Sequence, residues 1–167
     1  MGPDSPEFTE TVFREIMASF PSGVAVVTAL DGEGPRGLTV SALCSVSLTP
    51  PLVLVCVDDT SNTLPALRAA GGFTVNFLAH GCGELASRFA SKSDCKFDGI
   101  EWTRPATPEG GPILVRDSAA FAVCVTRQAF AAGDHWVFLG EVREGGAIED
   151  REPLVYHRRA YVGLRSI

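Results

Sequence analysis

Four small hydroxyl side chains, Thr39, Ser41, Ser45 and Ser47, stand in one stretch just ahead of Pro50-Pro51 and the continuously apolar run Leu52 to Val57. Their period-two spacing lets several point to one side of an extended segment while Val40, Ala42 and Val46 point to the other. Hydroxyls held at the mouth of a buried strand suit a phosphate-bearing ligand; the competing reading is an ordinary hydroxyl-rich loop closed by Pro-Pro. A second candidate is His135, which follows Gly133-Asp134 at the start of the apolar segment Trp136 to Leu139. An imidazole there sits at a strand end, at the rim of any barrel built from that strand. The bland alternative is a half-buried histidine bonded to Asp134. His80 and His157 lack comparable surroundings and read as surface residues.

Other chemistries find no footing. No Gly-x-Gly-x-x-Gly follows a strand and no Walker-type loop is present, which argues against a Rossmann or P-loop nucleotide site. Neither a Gly-x-Ser-x-Gly elbow nor His-Glu-x-x-His occurs, and no metal site is expected. Cys44, Cys56, Cys82, Cys95 and Cys124 show no Cys-x-x-Cys spacing and are odd in number, which points to a reducing cytoplasm. Cys56 and Cys124 fall in apolar strand patterns and read as core residues. Chemistry therefore has to come from a bound organic cofactor or be absent.

The elements that must position these groups are mostly strands. Phe8, Val12, Phe13, Ile16, Met17 and Phe20 recur at helical spacing and predict an opening amphipathic helix that stops before Pro21. Val24 to Leu30 and Gly37 to Ser41 read as a hairpin turned at Asp31-Gly32-Glu33-Gly34. After the strand Leu52 to Val57, the polar cluster Asp58 to Asn62 caps a helix from about Thr63 to Ala70, which Gly71-Gly72 end. Phe73 to Leu78 is a strand, Glu84 to Ser91 a short helix, Gly99 to Arg104 a candidate strand and Pro105 to Pro112 a loop. Ala119 to Ala129 and His135 to Glu144 form a long antiparallel pair, with short strands at Pro153 to Tyr156 and Ala160 to Leu164 closing the chain. Hairpin-length links instead of regular βαβ crossovers favour a closed or partly open antiparallel barrel over a doubly wound sheet.

The chain has 167 residues and suits one domain, residues 8–167, with residues 1–7 read as a disordered or vector-derived segment. Lys and Arg number 14 against 20 Asp and Glu, and no basic cluster can track a nucleic-acid backbone, so nucleic acid is a poor partner. No apolar run approaches the ~20 residues that span a bilayer, and no membrane partner is expected. Apolar residues make up 46% of the chain, and the surplus over one small core suits a subunit interface.

Several motifs in order, Phe20-Pro21-Ser22-Gly23-Val24-Ala25-Val26-Val27-Thr28, Gly37-Leu38-Thr39-Val40-Ser41, Ser45-Val46-Ser47-Leu48, Pro50-Pro51-Leu52-Val53, Gly133-Asp134-His135 and Gly140-Glu141-Val142, resemble the short-chain flavin reductases that serve two-component flavin monooxygenases. The likeness runs from about Phe13 to Leu164, and the order and spacing are more specific than any single motif. It implies a mainly β antiparallel Greek-key split barrel of the FMN-binding type with a few flanking helices, and a cytoplasmic homodimer. It also implies an enzyme that uses NADH or NADPH to reduce FMN or FAD, which then diffuses to a monooxygenase component.

By position, the resemblance assigns Thr39, Val40, Ser41 and Ala42 to the flavin ring and ribityl chain and Ser45 and Ser47 to donors near the phosphate. Asp58, Ser61 and Thr63 match contacts to the flavin tail, with Ser61 also readable as a helix cap. Asn76 and Phe77 lie where a strand passes the ring, and Arg88, Phe89, Lys96 and Phe97 match Arg-Phe-Ala and Lys-Phe pieces near the anionic cofactor. His135 matches the residue that meets the pyridine nucleotide. Lys92 is as readily a solvated surface lysine, and Arg14, Arg36 and Arg158 stand equal as partners for a 2′-phosphate. Two alternatives share the fold: an oxidase of the pyridoxamine-phosphate type that keeps its flavin, and a non-catalytic flavin-binding module.

Overall fold

The computed structural model describes residues 8–164; the first seven residues, set apart above, and the last three lie outside the described residues. Helix α1 (Glu10–Ala18) opens the chain, capped by Thr9, whose side chain accepts from the Val12 N–H. Strands β1 (Ser22–Gly23), β2 (Ala25–Asp31), β3 (Gly34–Val40), β4 (Leu43–Leu48) and β5 (Pro51–Asp58) follow. Next come α2 (Leu64–Ala70), β6 (Gly72–Leu78), α3 (Gly83–Ala90), the long hairpin β7 (Ser118–Ala132) and β8 (His135–Ala147), and the short strands β9 (Val155–His157) and β10 (Ala160–Val162). Among the described residues no helix is long and apolar enough to cross a membrane.

The large sheet has seven strands in the order β3-β2-β6-β7-β8-β5-β4, and every pairing in it is antiparallel. Its two edge strands, β3 and β4, are neighbours in sequence, joined only by Ser41 and Ala42. Laid flat, seven strands at about 4.8 Å spacing would hold those edges roughly 29 Å apart. The three Cα steps from Val40 to Leu43 reach at most about 11 Å. The sheet must therefore roll until its edges meet, and the short link becomes the seam of a barrel.

Two clusters hold this shape. One gathers Ala25, Val27, Phe73, Val75, Val55, Val57 and Phe138 beneath Leu64 and Leu67 of α2, with the Phe73 and Phe138 rings edge to face at 6.5 Å. The other packs Val24, Val26, Leu78 and Leu114 against Ala86 and Phe89 of α3. Strand β2 alternates between them and is buried on both faces, which is why its sequence from Ala25 to Leu30 is apolar except for the fully buried Thr28, whose hydroxyl donates to the Pro112 carbonyl at 2.7 Å. Cys124 lies in the first cluster, its thiol pushed up to about 12 by burial, whereas Cys56 is only half-buried.

The expected helices and central strands are present with end shifts of up to three residues, and the other differences concern edges. Gly99 to Arg104 is not a strand; only an isolated bridge, Thr103 to Ile113, forms there. The stretch bearing Ser45 and Ser47 is itself a strand, β4, with a bulge between those two residues. β1 pairs with β9, and β9 with β10, in a small second sheet. α1 buries none of its residues, so its apolar side is open.

Candidate active site

The seam between β3 and β4 is also where the molecule is concave. A cavity of about 170 Å³ meets Leu38 and Thr39, one of about 190 Å³ meets Thr39 and Ser41, and one of about 800 Å³ meets Ser41, Ala42 and Leu43. Shared walls at Thr39, Ser41 and Tyr156 make them one groove that follows the seam. Within it Ser41 and Ala42 are exposed, while the Val40 side chain points into the core, so only the Val40 backbone can meet a ligand. The Thr39 hydroxyl donates to the Ala86 carbonyl at 2.6 Å and fixes α3 against β3. Ser45 is exposed on β4, and the Ser47 hydroxyl accepts from the Thr49 N–H at 3.2 Å; both lie beyond the walls of the groove.

The smaller end of the groove is polar. Asp58 ends β5, and its carboxylate accepts from the hydroxyl and the N–H of Thr60, at 2.6 and 2.7 Å. Those bonds, helped by His135 and Lys92, hold the carboxyl below its ordinary range. Ser61 faces the same cavity and its hydroxyl accepts from the Thr63 N–H at 3.2 Å. Thr63, not Ser61, holds the N-cap position of α2 and makes no side-chain capping bond, so the cap reading of Ser61 becomes a turn two residues earlier. Lys92 reaches Thr60 at 3.3 Å from the rim.

Lys96 is the unusual group here. It is 5% exposed, and its ammonium donates to the Gly37 and Phe89 carbonyls at 3.1 and 3.2 Å and more loosely to Asn62 Oδ1 at 3.4 Å. Burial pulls its pKa down, and among the described residues it has no carboxylate within ion-pair distance. A buried cation held by carbonyl dipoles, with the Asp94 carboxylate too far for an ion pair, leaves positive potential at the cavity floor. At Gly37, whose carbonyl accepts from that ammonium, a Cβ would stand 2.8 Å from the Phe89 ring.

Several expected site residues are taken up by structure instead. Asn76 is fully buried: its amide donates to the Val26 and Pro112 carbonyls and to Thr28 Oγ1, and its oxygen accepts from the Leu114 N–H, leaving nothing for a ring. Phe77 packs half-buried on the main cluster away from the groove. The Thr63 hydroxyl is buried and donates to the Gly37 carbonyl at 2.9 Å. Arg88 donates to the Cys95 and Asp98 carbonyls at 2.9 and 2.6 Å, clamping the loop after α3. Phe89 forms a groove wall and Phe97 buttresses it edge to face at 5.0 Å.

His135 stands opposite Asp58 in the register of β5 and β8. Its Nδ1 lies 2.7 Å from Asp134 Oδ1, and 41% of its side chain is exposed. Hydrogen bonding to the imidazole, with its charge when protonated, keeps the Asp134 carboxyl low. Gly133 takes φ +66° as first residue of the two-residue turn, a conformation that favours glycine and sets the angle at which His135 leaves the rim. The sequence reading passed over Asn62, Tyr156, Tyr161 and Arg159 as groove residues. Tyr156 and Arg159 offered a signal only in hindsight of the fold, since nothing local says that the closing hairpin folds back onto the seam.

Comparison with known proteins agrees with this geometry. Residues 17–165 match the family described as "Flavin reductase like domain". The flavin reductase (NADH) of Kitasatospora aureofaciens is 44% identical over 151 residues, covering 89% of this chain and 78% of that protein. The reductase subunit of a flavin-dependent monooxygenase from Rhodococcus jostii is 37% identical over 152 residues, covering 91% and 76%. A solved NADH:FAD oxidoreductase of Streptomyces globisporus C-1027, in complex with NAD and FAD fragments, superposes with a TM-score of 0.87 at 32% identity, covering 99% and 98%. With a rolled antiparallel sheet, a groove along its seam and a matching sequence over most of its length, the chain belongs to the flavin reductase family and has its split-barrel fold.

Proposed function

We propose that this protein is an NAD(P)H:flavin oxidoreductase that reduces FMN or FAD and supplies the reduced flavin to a partner monooxygenase. The observation that carries this reading is the groove along Leu38 to Leu43, apolar and open at one side and floored by a buried cation at the other. When bound, the flavin supplies the acceptor for a hydride from the nicotinamide. Lys92, Lys96 and the Ser61 hydroxyl favour its phosphate at the polar end, and Thr39 to Ala42 run along the ring and ribityl chain. The backbone N–H groups of the seam link at Ser41 and Ala42, on the groove wall, steady charge on the ring. His135, oriented by Asp134, receives the nicotinamide side.

A second copy of the chain covers the apolar side chains that the monomer exposes on α1 and β4, Phe8, Val12, Ile16 and Leu48, giving a homodimer. Residues 8–167 act as one unit. The five unpaired cysteines support a cytoplasmic setting.

Loss of NADH and NADPH absorbance by the purified protein, with FMN, FAD or no flavin, tests the reading. Saturable oxidation that requires added flavin is expected. His135→Ala should lower kcat/KM for the nucleotide about tenfold or more while the flavin Kd stays unchanged. Oxidation of neither nucleotide with either flavin would overturn the reading in favour of an oxidase that keeps its flavin or a binding module.

A further inference from the structure

The turn between β9 and β10 consists of Arg158 and Arg159 alone, and both are left-handed, with φ 49° and 65°. Such two-residue hairpin turns take Asn-Gly or Asp-Gly, because an L side chain is strained there. The turn is anchored nonetheless: the Arg158 N–H donates to the Ala18 carbonyl at the end of α1, at 2.9 Å. The result is that Arg159 stands on the wall of the 800 Å³ end of the groove, opposite α1 and beside Ser41, Ala42 and Tyr156.

The charges of this wall are one-sided. Its ionised side chains are Arg14 and Arg159, with no carboxylate among the wall residues, in a chain of net charge −6. Arg14 is shared with Glu10 one helical turn back, at 2.6 Å, whereas Arg159 has no carboxylate partner among the described residues. A guanidinium offers a planar fork of donors that fits adjacent phosphate oxygens. Lys92 and Lys96 stand at the other end of the groove, so a ligand with one phosphate there leaves Arg159 without a counterpart.

We propose that Arg159 is a specificity-determining residue that binds the diphosphate of a dinucleotide entering the wide end of the groove, with Arg14 as a second, Glu10-tethered cation. This rests on the reductase reading for the ligand class. FMN lacks a diphosphate, and the phosphate that FAD shares with it is placed at the polar end, so the diphosphate at the wide end is that of the nicotinamide dinucleotide.

The test measures dissociation constants of the full chain for NAD⁺, FAD and FMN, together with melting temperature and NADH oxidation, for wild type and Arg159→Gly. Glycine accepts φ 65°, so the variant should melt no lower than wild type. Loss of one charge-assisted phosphate contact should weaken NAD⁺ about tenfold and leave FAD and FMN unchanged. Weakening of NAD⁺ with FAD and FMN unchanged supports the proposal. Unchanged NAD⁺ binding, a loss confined to FAD, or an equal loss for FMN overturns it. A wild type that oxidises no NADH sinks the reductase reading alone, because the binding constants still decide the role of Arg159.

Discussion

The two ends of the groove are built on opposite terms. At the polar end, Thr63 and Lys96 both donate to the Gly37 carbonyl, Lys96 also reaches Phe89 O, and Thr39 ties β3 to Ala86. Each wall is thus bonded to another wall, and the cavity of about 170 Å³ is already shaped before a ligand arrives. At the wide end, α1 buries none of its residues and is held at its last turn by the Arg158 N–H. One end is preorganised for a fixed anionic group, which lowers the ordering cost of binding. The other can yield, which suits a ligand that must enter and leave in each turnover.

Removing the cation under the rigid end should do most damage. Lys96→Met keeps much of the buried stem but strips donors from three acceptors, and is expected to cost about 2–3 kcal/mol in denaturant unfolding and to weaken FMN. The sign of its pH dependence follows from burial. With the folded pKa below the ordinary 10.5, the unfolded chain holds more protons in the window between them. Wild-type stability therefore rises with pH through that window, and the rise should vanish in Lys96→Met. If both the stability and its pH slope are unchanged, the polar end is not held by Lys96.

A smaller effect is expected from Gly37→Ala, whose new Cβ would meet the Phe89 ring at 2.8 Å and Phe97 at 3.4 Å. Both rings pack against each other, so the strain cannot be relieved by a free side-chain end; about 1–2 kcal/mol and a higher KM for flavin should follow. The least costly change lies at the wide end. Met17→Ala on α1 removes an exposed side chain that faces the cleft, and thermal unfolding should register within about 0.5 kcal/mol of wild type. A loss comparable to that of Gly37→Ala would mean that α1 is packed as firmly as the polar end and would erase the contrast.

Much of this was legible in advance where local rules apply. The largely apolar run of β2 and the helical spacing of α1 were each legible from pattern, and Gly133 marked the turn that presents His135. Asn76 shows where such reading stops. Its polar amide in an apolar strand matched a ligand contact by position, but the loop carbonyl of Pro112 and the N–H of Leu114, far away in sequence, saturate it in the core. Arg88 and Thr63 fail for the same reason, since each bonds to backbone carbonyls that only the folded chain brings near. Lys96 shows the converse: its sequence neighbourhood suggested a cation near an anion, and burial turned it into the floor of the site as well.

By itself the sequence determined the three helices and the central strands, the hydroxyl-bearing segment from Thr39 to Ser47 and the family, because propensity, turn chemistry and motif spacing are properties of neighbours along the chain. Only the tertiary structure decided that β3 and β4 are opposite edges of one sheet brought together by a two-residue link. That closure also sets Arg159 from the last hairpin, α1 from the first helix and Ser41 from the seam around a single cleft. Their meeting depends on how far the sheet rolls, a sum of twists and core contacts over seven strands that no local stretch of residues encodes.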